Sequence, residues 1–332
     1  MLRISVVVAV ILTARQREHW VAVALNNGLF LRCRCVGRDA LMGFLLLASS
    51  TASAQVVVSI LGNTALAHVS LGSGPITYVA DVTITFDAPV NLTVAELNLT
   101  ASVVDPSDPA LLLRLASCGF SCAIDPAFPV MITVEPPTLP QLFHSAFEEG
   151  EPENGNLGFS NAYEFELHTA NIDCVGVVAG PCPTTQYRLF KAPVGGNFKD
   201  ITSSVLKGSV RARGRGGEFS QFLIVQDARL STTVEQTKAT NLQTRIQAAS
   251  IPSSLQNNLL AQLASVQSSN AMGNYAAAII TLDQLIGSVQ ANAGGAISNA
   301  WSSDHTLVND AGEVLALSDT LRYTLVRLQN GN

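Results

Sequence analysis

The sequence predicts a segregated α+β chain: an antiparallel β-sandwich followed by a small three- or four-helix bundle. Three observations predict it. Apolar and polar residues alternate with period two from Gln55 to about Asp227, Gly and Pro thin out around Leu230, and from there apolar residues recur every three or four positions. Period two hides one face of a strand and period 3.6 one stripe of a helix, so the two halves bury different kinds of surface. The expected division is a leader region at 1–54, a β-sandwich domain at 55–230 and a helical bundle domain at 231–332.

The strands come first. Val56 to Leu61 stops at Gly62-Asn63, and Ala67 to Leu71 stops at Gly72-Ser73-Gly74-Pro75. Ile76 to Phe86 alternates almost perfectly after Ala80, and the pattern returns at Leu97–Val103, Val130–Val134, Tyr163–His168 and Tyr187–Phe190. Gly214-Arg215-Gly216-Gly217, between Val210–Arg213 and Phe219–Val225, reads as a hairpin turn. Eight to ten short strands with no intervening helical period indicate a sandwich rather than a doubly wound parallel sheet.

The helices follow. Leu242, Ile246 and Ala249 space one, ended by Ser250-Ile251-Pro252, and Leu255, Leu259, Leu263 and Val266 line the next. Tyr275, Ile279, Leu282, Ile286 and Val289 form a third stripe, which Gly294-Gly295 closes. A last helical region carries Leu307, Val308, Ala311, Val314, Leu315 and Leu321. Each stripe can be hidden only against the others.

Ala40 to Gln55 sets the compartment. A short apolar run led by Arg38 ends in Thr51-Ala52-Ser53-Ala54-Gln55, small residues that suit a signal peptidase cutting between Ala54 and Gln55. The signal peptide is placed at about 36–54, with the upstream part as a mis-assigned translation start or an unusually long leader. The chain is then secreted or periplasmic. No run reaches the ~20 apolar residues of a membrane-spanning helix.

Charge follows from the cut. Of 19 basic and 25 acidic residues, six and two precede it, which leaves 13 against 23, a net of −10. Such a chain lacks the positive field that nucleic acid or an anionic membrane requires. The Arg211 to Gly217 segment is the wet face of a hairpin rather than a nucleic-acid arm. Only 13% of residues are charged, against ~25% in an average domain, so the surface is largely neutral and polar.

Cys118, Cys122, Cys174 and Cys182 follow the cut, an even set that favours disulfides over metal. Three pairings are open; the short gaps favour two local staples.

Segment Leu259 to Ala291, LLAQLASVQSSNAMGNYAAAIITLDQLIGSVQA, resembles the helical module that often ends secreted bacterial proteins. The β half, with Gly208-Ser209-Val210-Arg211 leading to Glu218-Phe219-Ser220-Gln221-Phe222, is similar to uncharacterised exported bacterial proteins. The first resemblance implies a non-catalytic appendage, and neither carries over a functional residue.

Catalytic motifs are lacking. Neither Gly-x-Ser-x-Gly nor His-Glu-x-x-His occurs, and Ser204-Val205-Leu206-Lys207 sits in strand and turn without its companion motifs. His68, His144, His168 and His305 are scattered. Glu148, Glu149, Glu151 and Glu153, on a Gly-containing loop, are the candidates for calcium. With low aromatic content and a lone Trp301 after the cut, sugar binding is a weak expectation.

The expectation is an exported binding or structural protein that is not an enzyme, with no catalytic residue, no cofactor, and an unknown protein or cell-surface partner. The alternative is an extracytoplasmic hydrolase with a cleft in the β domain, using His144 or His168 and the acidic loop. A histidine within hydrogen-bond reach of a serine or carboxylate, in a pocket, would favour it.

Overall fold

A computed structural model describes residues 6–9, 20–25, 30–34, 54–138, 156–173, 186–206 and 209–331. The chain divides into two units, Met1–Thr51 and Ala52–Asn332. In the first, β1 (Val6–Ala9), β2 (Trp20–Leu25) and β3 (Phe30–Arg34) form an antiparallel meander. All three strands lie upstream of the expected signal peptide, in the part read as a mis-assigned start or a long leader. The segment expected to be a signal peptide, 36–54, lies outside the described residues except for Ala54.

The larger unit holds two antiparallel sheets. The first contains β4 (Ala54–Leu61), β5 (Thr64–Ser73), β6 (Ile76–Val90), β10 (Gly158–Asp173), β13 (Thr202–Leu206), β14 (Ser209–Gly216) and β16 (Ala300–Ser302). Its order is β13-β14-β10-β6-β5-β4. The anticipated cleavage bond, Ala54–Gln55, is the first step of edge strand β4, where Ala54 pairs with Leu71. Gly62 and Gly74 turn the first two hairpins at φ near +60°, a conformation that costs glycine nothing.

The second sheet contains β7 (Leu99–Val103), β8 (Cys122–Ile124), β9 (Val130–Val134), β11 (Tyr187–Ala192), β12 (Lys199–Asp200) and β15 (Gln221–Asp227). Its order is β12-β11-β15-β9-β7, with β8 against β15. Two short helices that the period-two reading missed, α1 (Val94–Leu97) and α2 (Pro109–Arg114), are capped by Thr93 and Asp108.

Between the sheets, Val69, Val82, Ile84, Phe165 and Leu167 meet Ile132, Val134, Leu189, Phe222 and Ile224. Each such side chain contributes about 1.5–3 kcal/mol by leaving water. Every residue of β11 is buried. Its outward residues Phe190 and Ala192 pack with Leu111, Leu115, Cys118, Cys122 and Phe198 in a second small core.

The glycine-rich segment at 214–217 differs from its expected role. β14 runs through to Gly216 and β15 lies in the other sheet, so the segment is a crossover between layers and not a hairpin turn. A Cβ on Gly214 would come within 2.6 Å of the Ile201 carbonyl oxygen, and one on Gly216 within 2.5 Å of Tyr163 Oη. Close backbone approach, not a turn, demands these glycines.

The C-terminal part holds four long helices, α3 (Ser231–Ala248), α4 (Ser253–Ala271), α5 (Tyr275–Asn292) and α6 (Asp310–Gln329). The expected stripes are buried together: Leu242 and Ile246, Leu259, Leu263 and Val266, Leu282 and Val289, and Val314 and Leu321. Asn274 and Asn309 cap α5 and α6 through their side chains. Leu307 and Val308 precede α6 and are exposed. α6 also packs on β10, β13 and β14, so helices and sheets form one compact unit. β16, from the loop before α6, pairs with the start of β10, and its Trp301 stacks on Phe159 with ring centroids 5.2 Å apart.

Candidate functional site

Several sequence candidates, namely Glu148, Glu149, Glu151, Glu153, His144, Cys174 and Cys182, lie outside the described residues. Among the described residues, no cluster of His, Cys, Asp and Glu is arranged to hold a metal ion. Cys118 and Cys122 are at bonding distance, with Cα atoms 5.7 Å apart.

The outward face of the first sheet assembles polar groups that the sequence scatters. In register, His68 of β5 faces Asp81 of β6, Asp81 faces His168 of β10, and His168 faces Arg211 of β14. His68 Nδ1 is 2.8 Å from Asp81 Oδ1, and His168 Nδ1 is 3.6 Å from Asp81 Oδ2. On the other side of its ring, His168 Nε2 is 2.7 Å from Ser209 Oγ. Glu166, two residues along β10, pairs with Arg213 and lies 3.3 Å from Arg211. The Asp81 side chain is 59% exposed and that of His168 24%.

Sequence reasoning singled out His168 but missed Asp81 and Ser209. Asp81 did carry a signal, since it opens the strictly alternating Asp81–Phe86 stretch on the wet side. Ser209 carried none, because strand pairing alone brings it to His168.

A concavity lies elsewhere. An open cleft of about 770 Å³ sits between the end of α3 and the two loops that connect α5, β16 and α6. Arg245, Ser250, Asn299 and Asp310 supply its polar lining, with Leu307 and Val308 on its apolar side. Asp310 accepts from Arg245 Nη2 at 2.5 Å and from the Ser250 backbone N–H at 3.0 Å. The polar pair is therefore fixed before any ligand arrives. A smaller hollow beside it is lined by Trp301, His305 and Glu313, with His305 in the left-handed region at φ 58°.

A third cluster is buried between the sandwich and the helices. Lys191 Nζ is 2.8 Å from Glu313 Oε1, which also accepts the Gly217 N–H at 2.6 Å. Lys238 Nζ is 2.7 Å from Asp200 Oδ2 and donates to Thr320 O and Thr324 Oγ1. Burial lowers the Lys238 ammonium to about 8 against the opposing pull of Asp200. Burial alone would raise Asp200, but Lys238 and Arg188 hold it below the usual carboxylate value. With each of these charges partnered, this cluster fixes how the layers meet.

These features define an α+β protein of two antiparallel sheets with a helical layer built onto them. The chain belongs to the Family of unknown function (DUF6689), which matches residues 42–329. No curated protein and no solved structure matches the chain.

Proposed function

We propose that the chain is an exported binding or structural protein that seats its ligand in the cleft between α3 and the α5–α6 connection. The cleft carries the reading. Its volume of about 770 Å³ falls in the ~300–1,000 Å³ range of ligand sites. Its Arg245–Asp310 pair is committed to holding the wall, and its exposed Leu307 and Val308 supply apolar contact area.

Support for export comes from two observations. The small-residue cleavage pattern falls where strand β4 begins, and Cys118 and Cys122 stand at disulfide distance. The partner is a protein or cell-surface component outside the cytosol.

The test is a thermal-shift screen of the oxidised protein against short peptides, soluble sugars and small carboxylates, run beside Leu307→Glu/Val308→Glu. Both positions are half exposed, so the fold survives the change. A hit that stabilises the parent by several degrees and not the variant supports the cleft. Hits shared equally by both proteins overturn it. For export, the mature protein should begin at Gln55; an intact upstream segment with alkylatable Cys118 and Cys122 overturns that part.

A further inference from the structure

Ser209, His168 and Asp81 form a chain that the binding reading leaves unused. The atoms are in the order that nucleophilic catalysis needs. Ser209 Oγ is 2.7 Å from His168 Nε2, and the opposite ring nitrogen, Nδ1, faces Asp81 Oδ2 at 3.6 Å. With hydrogen on Nδ1, Nε2 is left to accept the Ser209 hydroxyl, which is the base–nucleophile contact. Three adjacent strands, β6, β10 and β14, carry the three residues. β10 breaks register between Thr169 and Asp173, beside Ser209; such irregularities re-aim side chains. Arg211 lies two residues from Ser209 on the same face of β14 and opposite His168, with its guanidinium 3.3 Å from Glu166.

We infer that Ser209 is a nucleophile toward carboxylic esters, with His168 as its general base and Asp81 as the positioning residue that holds the imidazole. Ser209 Oγ attacks the ester carbonyl carbon while its proton passes to His168 Nε2. The carbonyl oxygen takes up the displaced electron pair. Collapse breaks the bond to the leaving alkoxide, which receives the proton from His168, and the acyl group stays on Ser209. Water then attacks that acyl group, giving its proton to His168, and the carboxylic acid leaves as Ser209 Oγ recovers a proton. The 59% exposed Asp81 and the open sheet face suit a reaction at the surface with little substrate selection. Such a site is slow and broad rather than fast and specific.

The experiment treats the full oxidised chain with a fluorophosphonate probe and follows adduct formation by intact mass and peptide mapping. Parent, Ser209→Ala, His168→Gln and Asp81→Asn are compared after circular dichroism confirms the fold. One adduct per chain on Ser209, lost in Ser209→Ala and cut at least tenfold in His168→Gln, supports the inference. Labelling of Asp81→Asn should be slower and its rate should depend differently on pH, which a merely structural role would not produce. Absence of labelling in the parent, an adduct on another residue, or equal labelling of parent and His168→Gln overturns it. The cleft reading answers to Leu307→Glu/Val308→Glu instead, so the two fail independently.

Discussion

Lys238 of α3 and Asp200 of β12 meet at 2.7 Å with both side chains almost wholly buried. Their pairing ties a helix to a sheet through charge rather than through apolar fit. Replacing Lys238 by Met leaves Asp200 without its nearest counter-charge. The expected loss is about 3–5 kcal/mol, read as a lower urea midpoint. Lys238→Met/Asp200→Leu should recover most of it, and a double variant as unstable as the single would contradict this account.

Acid should weaken the same junction. Asp200 and Glu313 are both held low by neighbouring cations despite their burial. A carboxylate whose folded value lies below its unfolded one contributes stability above the unfolded value and loses it as pH falls through the folded one. Their ordinary values are 3.8 and 4.5, so the urea midpoint should hold from neutrality to about pH 5 and fall below about pH 4. A midpoint still flat at about pH 3 would show that these carboxylates add nothing.

Gly217 tests how tightly the crossover meets α6. A Cβ there would stand 2.6 Å from the Glu313 backbone nitrogen and 2.9 Å from the Gly312 carbonyl carbon. Backbone cannot step aside as a flexible side chain can, so Gly217→Ala should cost about 2 kcal/mol or more. Thermal denaturation measures it, and an unchanged transition would mean that the helix end yields.

Cys118 and Cys122 enclose a short ring. On the chain-entropy account, opening so small a loop costs about 2 kcal/mol. Cys118→Ser/Cys122→Ser should therefore fold, with a modestly lower transition. Failure to fold would assign the pair a far larger share of the Leu111–Phe198 core.

The periodicities read the strands and helices because each of those segments has a single buried face. Val82, Ile84 and Phe86 alternate with Asp81, Thr83 and Thr85, and Leu259, Leu263 and Val266 recur at helical spacing. β11 and α6 were read as strand and helix too, at Tyr187–Phe190 and Ala311–Leu321, but their second buried face escaped the pattern. β11 is covered on both sides, and α6 buries even Ser318 and Thr320, because it is pressed between helices and sheet; no stripe marks that. The candidate sites were least legible. Asp81, His168 and Ser209 are brought together only by strand register, and the cleft is made by the end of α3 and two loops distant from it in sequence.

α6 follows in chain order everything that it seals. Until those final turns leave the ribosome, Lys191 and Arg215 lack their partners Glu313 and Asp319. The packing of β10, β13 and β14 is therefore completed only by a segment more than a hundred residues further along the chain than the end of β13.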